Sequence, residues 1–561
     1  MREFSRWVAC VCLVSTAVAY SQSGRTDALQ EALQSITAEG LAAHIRRLAS
    51  DEFEGRAPAT RGEELTVRYL IEQFRQLGLR PGNPDGTYIQ KVPLVGITAD
   101  PSASLTVTAD GKRMTLRYGE DFVAWTRRVV ETSSVEADLV FVGYGVQAPE
   151  FQWDDFKGVD VKGKMLLVLI NDPPVPDPSD PTRLDEKVFG GRAMTYYGRW
   201  TYKFEKAAEL GAAGALIIHE TEPAGYPWAV VRSSWTGEQF DLIAPDRNMS
   251  KCAVEGWITS NQARALLAMV GKDLEELKRA AVSRDFRPVS LGARARITLR
   301  NTFRTIESRN VIARLDGSDP KLKEEYVIYV AHWDHLGVGP EVQGDRIYNG
   351  AVDNASGTAG LLEVARAYAR LSPPPRRSVL FLAVTAEEKG LLGSRYYAEN
   401  PLYPLEKTVA VINMDGLNVY GRTRDVTVIG LGNSTLDEHV RAVAAEQGRV
   451  VRPDPEPEKG FFYRSDHFSF AKQGVPALDL DSGIEYISKP EGWGIEMRRR
   501  YTAERYHKPQ DEFDPSWDLS GAVEDLQLLV LVGYRVANED RWPEWYPGTE
   551  FKAKREAMLK R

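Results

Sequence analysis

From Asn310 onward the chain alternates nearly unbroken apolar runs with helically spaced ones: Tyr326-Val-Ile-Tyr-Val-Ala, the stretch Ala359 to Leu371, Val379-Leu-Phe-Leu-Ala-Val-Thr, and Ala410-Val-Ile-Asn-Met. A strand that is apolar on both sides must be covered on both faces, which is the situation of a mostly parallel sheet lying between helices. The pattern therefore predicts an α/β fold. In such sheets ligands bind beyond the carboxyl ends of the strands, so the residues that follow each run are where chemistry is expected.

Those residues are rich in metal-ligand types. After Ala331 comes His332-Trp333-Asp334-His335, where extended geometry would place His332 and Asp334 on one side. A strand-end histidine with a carboxylate two residues on fits a ligand whose second ring nitrogen is oriented by that carboxylate. Asn349-Gly-Ala-Val-Asp353-Asn354-Ala-Ser356-Gly357 puts Asp353 in a turn feeding a helix, where capping is the ordinary role. Glu387 and Glu388 follow the next run; burying both calls for cations or a proton, although a solvated helix start would also accommodate them. Asp415 ends the Ala410 run, and His507 sits in a later loop. Singly each has an everyday structural explanation. Jointly, two histidines and several acids at successive strand ends converge on one rim, and coincidence explains that poorly.

The ligand count suggests two ions. His332 and Asp415 serve one, Glu388 and His507 the other, and Asp353 bridges, leaving a position for a shared water. Nitrogen and oxygen donors without thiolate suit zinc, with cobalt and manganese also open. Glu387, beside a ligand but not needed as one, is free to accept a proton from water. Two ions roughly 3.5–4 Å apart that hold hydroxide and polarise a carbonyl perform hydrolysis.

Elsewhere the sequence divides into helical spacing from Asp27 to Leu79, a β-rich stretch with proline-rich turns, and the α/β segment. The expected organisation is a leader at 1–19, an N-terminal part of the main domain at 24–130, an insert at 131–295, the main domain at 296–545 and a charged tail at 546–561. A net charge of −8, without a long basic run, argues against nucleic acid as a partner. Residues 1 to 19 combine Arg2 and Arg6, a short apolar stretch and Ala17-Val18-Ala19, the pattern of a secretory signal cut after Ala19. The apolar stretch is shorter than the ~20 residues that span a bilayer, so the expectation is a periplasmic or extracellular protein without stable membrane insertion. Of three cysteines only Cys252 would remain after cleavage, which excludes a disulfide scaffold.

Six motifs, in this order, carry a family resemblance: Ala331-His332-Trp333-Asp334-His335, Asn349 to Gly357, Thr385-Ala-Glu387-Glu388-Lys-Gly-Leu-Leu-Gly-Ser394, Asn413-Met-Asp415, Tyr463-Arg464-Ser465-Asp466-His467 and Tyr506-His507-Lys508-Pro509. With them the chain resembles the co-catalytic di-zinc aminopeptidases, a group that includes aminopeptidase Y and shares its fold with glutamate carboxypeptidase II and the transferrin receptor. The resemblance implies a zinc-peptidase α/β/α sandwich with a protease-associated domain at 131–295, acting on peptides with a free N-terminus. It implies two zinc ions held by His332, Asp353, Glu388, Asp415 and His507. Asp334 would then orient His332, Glu387 would be the general base, Tyr506 would stabilise the oxyanion and Arg464 would hold substrate, although a salt bridge with Asp466 explains Arg464 equally well. Ser465-Asp466-His467 spells a hydrolase triad in letters only, because triad residues meet through folding rather than by adjacency. Three alternatives differ in class. A carboxypeptidase of the glutamate carboxypeptidase type would need an extra helical domain for which the stretch after His507 is too short. Glutaminyl cyclisation uses one zinc, against the full ligand set here. A receptor-like binding module would have lost ligands, and none is lost.

Overall fold

The computed structural model describes residues 27–560, so the expected signal sequence lies outside the described residues. The chain forms two compact units. One comprises the chain through Val92, Ser308–Asp454 and the chain from Ser465 onward; the other comprises Pro93–Glu307 together with Pro455–Arg464. The stretch read as an insert, 131–295, falls inside the second unit, and so does the decapeptide that ends in Arg464.

The first unit is built on a sheet whose strands are β1 (Val289–Leu315, from Ser308), β2 (Tyr326–His332), β3 (Ser378–Val384), β4 (Thr408–Asn413), β5 (Asp425–Ile429) and β6 (Ala477–Ser482). Their order is β1-β3-β2-β4-β6-β5. The pairs β3–β2, β2–β4 and β4–β6 are parallel, and β1 and β5 pair antiparallel at either side. The unit is mixed α/β with a large, mostly parallel central sheet, as the apolar runs predict. Every residue of β2 and β3 is buried. Helices α1 (Gly357–Ala369) and α2 (Ser520–Asn538) cover one face, where Val327, Tyr329 and Ala331 share a core with Leu361, Leu362, Leu526 and Leu529. Tyr329 is buried without an orphaned hydroxyl: its OH donates to the Leu529 carbonyl at 2.8 Å and lies 3.0 Å from the Tyr368 hydroxyl, tying the strand to both helices. This layering fixes the carboxyl ends of β2, β3 and β4 side by side, with their loops gathered at one edge.

The second unit is β-rich. Gly214–His219 runs parallel to both Met165–Leu169 and Val254–Thr259, while Phe122–Trp125 and residues 289–300 pair antiparallel with their neighbours. Side-chain alternation splits Gly214–His219 between two apolar cores, Leu216 and Ile218 entering one, Ala215 and Ile217 the other. Cys252 is buried in the latter core, and burial pushes its thiol pKa far up. Among the described residues no helix is long and apolar enough to cross a membrane.

Candidate metal centre

β2 ends at His332, whose imidazole is almost fully buried. Its Nε2 lies 3.1 Å from Asp415 Oδ1, 3.4 Å from Asp353 Oδ1 and 3.9 Å from Glu387 Oε2. The nearest partner of the other ring nitrogen, Nδ1, is the backbone carbonyl of Asp334 at 3.2 Å; the carboxylate of Asp334 stands 3.8 Å away and instead accepts the Glu387 N–H at 3.1 Å. Asp334 thus holds the imidazole by its main chain and the Glu387 loop by its side chain. A second group forms around Glu388. Its Oε2 is 3.0 Å from His507 Nε2, and its Oε1 is 2.5 Å from His335 Nδ1. Asp353 joins the two groups: Oδ1 faces His332, and Oδ2 faces His507 at 3.2 Å. The sets His332, Asp353, Asp415 and His335, Asp353, Glu388 each bring their donor atoms within 4.8 Å of one another.

The backbone is shaped to make this possible. Ala386 adopts φ 53°, the left-handed region that an alanine enters only under constraint, and so turns the chain from β3 into Glu387 and Glu388. His507 is likewise left-handed at φ 56°. Gly350, at φ 54°, lies so close to the His335 ring that any Cβ would collide with it. Asn354 clamps two ligand loops together: its Nδ2 donates to the Met414 carbonyl at 3.0 Å, and its Oδ1 accepts the N–H groups of Gly357 and Gly416. Asp511 accepts the N–H groups of Val352 and Asp353, the latter at 3.0 Å, and also the Tyr501 hydroxyl. Arg56, 1 % exposed, donates to four main-chain carbonyls, those of Trp333, Leu48, Asn349 and Gly350. Burial lowers its pKa to about 10, with Asp334, Asp511, Asp353 and Glu388 opposing.

Charge is concentrated here to a degree that burial penalises. Burial would lower His332, but Asp415, Glu387 and Asp353 outweigh it and hold the imidazole well above its ordinary range. Burial would likewise lower His507, yet Glu388 and Asp353 raise it to about 10. Burial lifts Glu387 well above the carboxylate range; Glu388 and Asp415 add to the rise and His332 opposes it. Glu388 goes the other way, because His507 and His335 overcome its burial. Asp334 is pushed up to about 7 by burial, only partly opposed by His332. The two adjacent carboxylates are thus pulled in opposite directions, one by burial among acids and the other by its histidines.

These residues fit the binding of divalent metal. His335 Nε2 and Asp334 Oδ2 are buried without a hydrogen-bond partner, and His335 Nδ1 meets only Glu388 Oε1, an arrangement that is costly unless a cation takes up the lone pairs. The donors are nitrogen and oxygen only, as suits zinc and its neighbours.

The nine residues singled out from the sequence are placed as follows. His332, Asp334, Asp353, Glu387, Glu388, Asp415 and His507 converge on this centre. Tyr506 is 44 % exposed and stacks on His507 with ring centroids 3.8 Å apart. Arg464 belongs to the second unit, where its guanidinium lies over the Phe461 ring. Ser465 is held in place, donating to Asp415 Oδ2 at 2.6 Å and accepting from Asn413 Nδ2. Sequence reasoning missed His335, Asp511 and Arg56 as parts of the centre. His335 was within reach, being the second histidine of the same motif; Arg56 carries little local signal, since three of its four carbonyl partners lie hundreds of residues away.

Residues 310–531 match the model of Peptidase family M28. The candidate ligands from His332 to His507 all lie within the matched segment. Among curated relatives, Aminopeptidase NAALADL1 of Mus musculus is 37% identical over 130 residues, which is 22% of this chain and 16% of that protein. The Glutamate carboxypeptidase 2 homolog of Caenorhabditis elegans is 26% identical over 327 residues, 50% of this chain and 37% of that one. The chain thus spans well under half the length of either relative. A solved aminopeptidase from Aneurinibacillus sp. strain AM-1 aligns with 91% of this chain and 96% of its own at 21% identity and a TM-score of 0.49.

Proposed function

We propose that the chain is an exported aminopeptidase that removes N-terminal residues from peptides, working with two zinc ions. The observation that carries this reading is Asp353, whose two oxygens face histidines of two different donor groups, as a bridging carboxylate requires. His332 and Asp415 would hold one ion, Glu388 and His507 the other. When bound, such ions acidify water toward neutral pKa and polarise a carbonyl.

The remaining work falls to the protein. Glu387 is proposed to take a proton from water and return it to the departing amine; burial and its acidic neighbours raise its pKa above the ordinary carboxylate range, which makes its carboxylate the stronger base. Its placement rests on its N–H bond to Asp334 and on the left-handed turn at Ala386 that precedes it. Tyr506, packed flat on His507, is proposed to donate its hydroxyl to the developing oxyanion. Export is proposed from the leader at residues 1–19, and the β-rich unit is proposed to be a protease-associated domain.

The test is hydrolysis of amino-acyl chromogenic amides with free or acetylated N-termini. Cleavage of the free-amine substrates alone supports an aminopeptidase. Equal cleavage of both, or of neither, contradicts it.

A further inference from the structure

Of the five candidate ligands, His507 is the one that packing holds least. Its side chain is 38 % exposed, against 24 % for Asp415, 11 % for Asp353, 2 % for Glu388 and 1 % for His332. It stands on a loop, three residues past the helix Trp493–Glu504, rather than at the end of a strand. A donor on a loop is placed less precisely than one on a rigid element, so the frame of the loop has to aim it.

That frame is closed within the first unit. The Arg505 and Tyr506 N–H groups both donate to the Tyr501 carbonyl, at 2.8 and 2.9 Å, the Lys508 N–H to the Arg505 carbonyl at 2.9 Å and the Asp511 N–H to the Lys508 carbonyl at 3.1 Å. The Tyr501 hydroxyl then donates to Asp511 Oδ2 at 3.1 Å, which shuts the segment 501–511 on itself around His507. Asp511 also grips the turn that carries the bridging carboxylate, through three successive N–H groups. Ala351 donates to its main-chain carbonyl at 2.9 Å, Val352 to Oδ1 at 3.1 Å and Asp353 to Oδ2 at 3.0 Å. The Asp511 side chain is fully buried, where bonds to a carboxylate are strong and water does not compete for them. Asp511 belongs to neither donor set itself. The other pair of ligands has supports of its own, since His332 closes β2 and Asp415 accepts the Ser465 hydroxyl at 2.6 Å.

We infer that Asp511 is the positioning residue of the second ion. It ties the His507 loop to the Asp353 turn, so that His507 Nε2 and Asp353 Oδ2 stand 3.2 Å apart before any metal arrives. The inference rests on the two-ion reading given above and adds to it that the site of one ion, and not of the other, is preassembled by a single carboxylate.

Zinc titration of the full-length metal-free protein in competition with a chromophoric chelator tests this without any substrate. In Asp511→Ala one ion is expected to bind about 10- to 100-fold more weakly and the other to stay within about 3-fold of wild type. The weakened step should be the one lost in His507→Ala. Asp511→Asn keeps an acceptor oxygen and should recover part of the loss; Tyr501→Phe removes only the closing hydrogen bond and should weaken the same ion by less. Both ions within about 3-fold of wild type in Asp511→Ala overturns the inference, and so does equal weakening of both, which is what a general loosening of the centre would give. Should Asp511→Ala fail to fold by circular dichroism, Asp511→Asn and Tyr501→Phe decide, and unaltered zinc binding by both overturns it. A wild-type protein that holds two ions and cleaves no peptide removes the aminopeptidase reading and leaves Asp511 in its role; one that holds fewer than two removes the two-ion reading and the inference together.

Discussion

Replacing Arg56 with methionine removes a side chain that ties the loops of the candidate ligands together without being a candidate ligand itself. The guanidinium donates to Trp333 O at 2.9 Å, Leu48 O at 2.7 Å, Asn349 O at 2.7 Å and Gly350 O at 2.9 Å. Methionine occupies the stem volume but leaves these carbonyls without donors. At about 1 kcal/mol net per bond, the loss comes to about 4 kcal/mol. Part of the arginine's own burial cost is recovered, which argues against a larger figure. Two of the carbonyls precede Asp353 by a few residues, so the bridging carboxylate should lose its fixed position as well. Urea unfolding of metal-free protein, followed by a probe in the first unit, measures the stability term; chelator competition measures zinc affinity. Both should fall. A stability loss below about 1 kcal/mol with unchanged zinc affinity would refute the idea that Arg56 organises the centre.

Other outcomes follow from the same structure. Glu387→Gln should retain the metal while lowering kcat by roughly 10²- to 10⁴-fold, read by elemental analysis beside steady-state kinetics; wild-type turnover would exclude Glu387 as the base. Cys252 should resist alkylation in the native protein and react only on unfolding, as a mass shift would show, because it is buried and its thiol pKa is raised. Asp155 is raised by burial from 3.8 to about 6, so the folded state binds its proton more tightly than the unfolded chain does. Its contribution is present below pH 3.8, is lost as pH rises toward about 6, and amounts to about 3 kcal/mol. Asp155→Asn should flatten that fall in unfolding experiments on the second unit, and an unchanged pH profile would contradict the assignment.

Much of the catalytic architecture is legible in the sequence because its signals are local. β2 and β3 announce themselves as apolar on both sides, and the candidate ligands lie at their ends, His332 closing β2 and Glu388 and Asp415 following β3 and β4 within a few residues. Asp353 and His507 are visible only as members of a set, since each has an ordinary turn or loop role when taken alone. What escaped depends on contacts distant in sequence. Arg56 binds Trp333 and Gly350 across 277 and 294 residues, and Asp511 reaches Asp353 across 158. The course of the chain between units is hidden for a different reason: Pro455–Arg464 has the composition of any surface loop, and only packing assigns it to the second unit. Likewise Val289–Leu315 is one continuous strand with no break in its run, and only its burial, which alternates through Asn301, lapses over 302–307 and resumes at Ser308, marks where one unit ends.

Stepwise zinc reconstitution of the metal-free protein, with hydrolysis of a free-amine chromogenic amide recorded at each addition, tests the two-ion aminopeptidase most directly. The account predicts no turnover without metal, about two tightly bound zinc ions per chain at saturation, and loss of one of them in His332→Ala or His507→Ala. Full turnover by the metal-free protein, or saturation at a single ion with Asp353→Asn unimpaired, would contradict it.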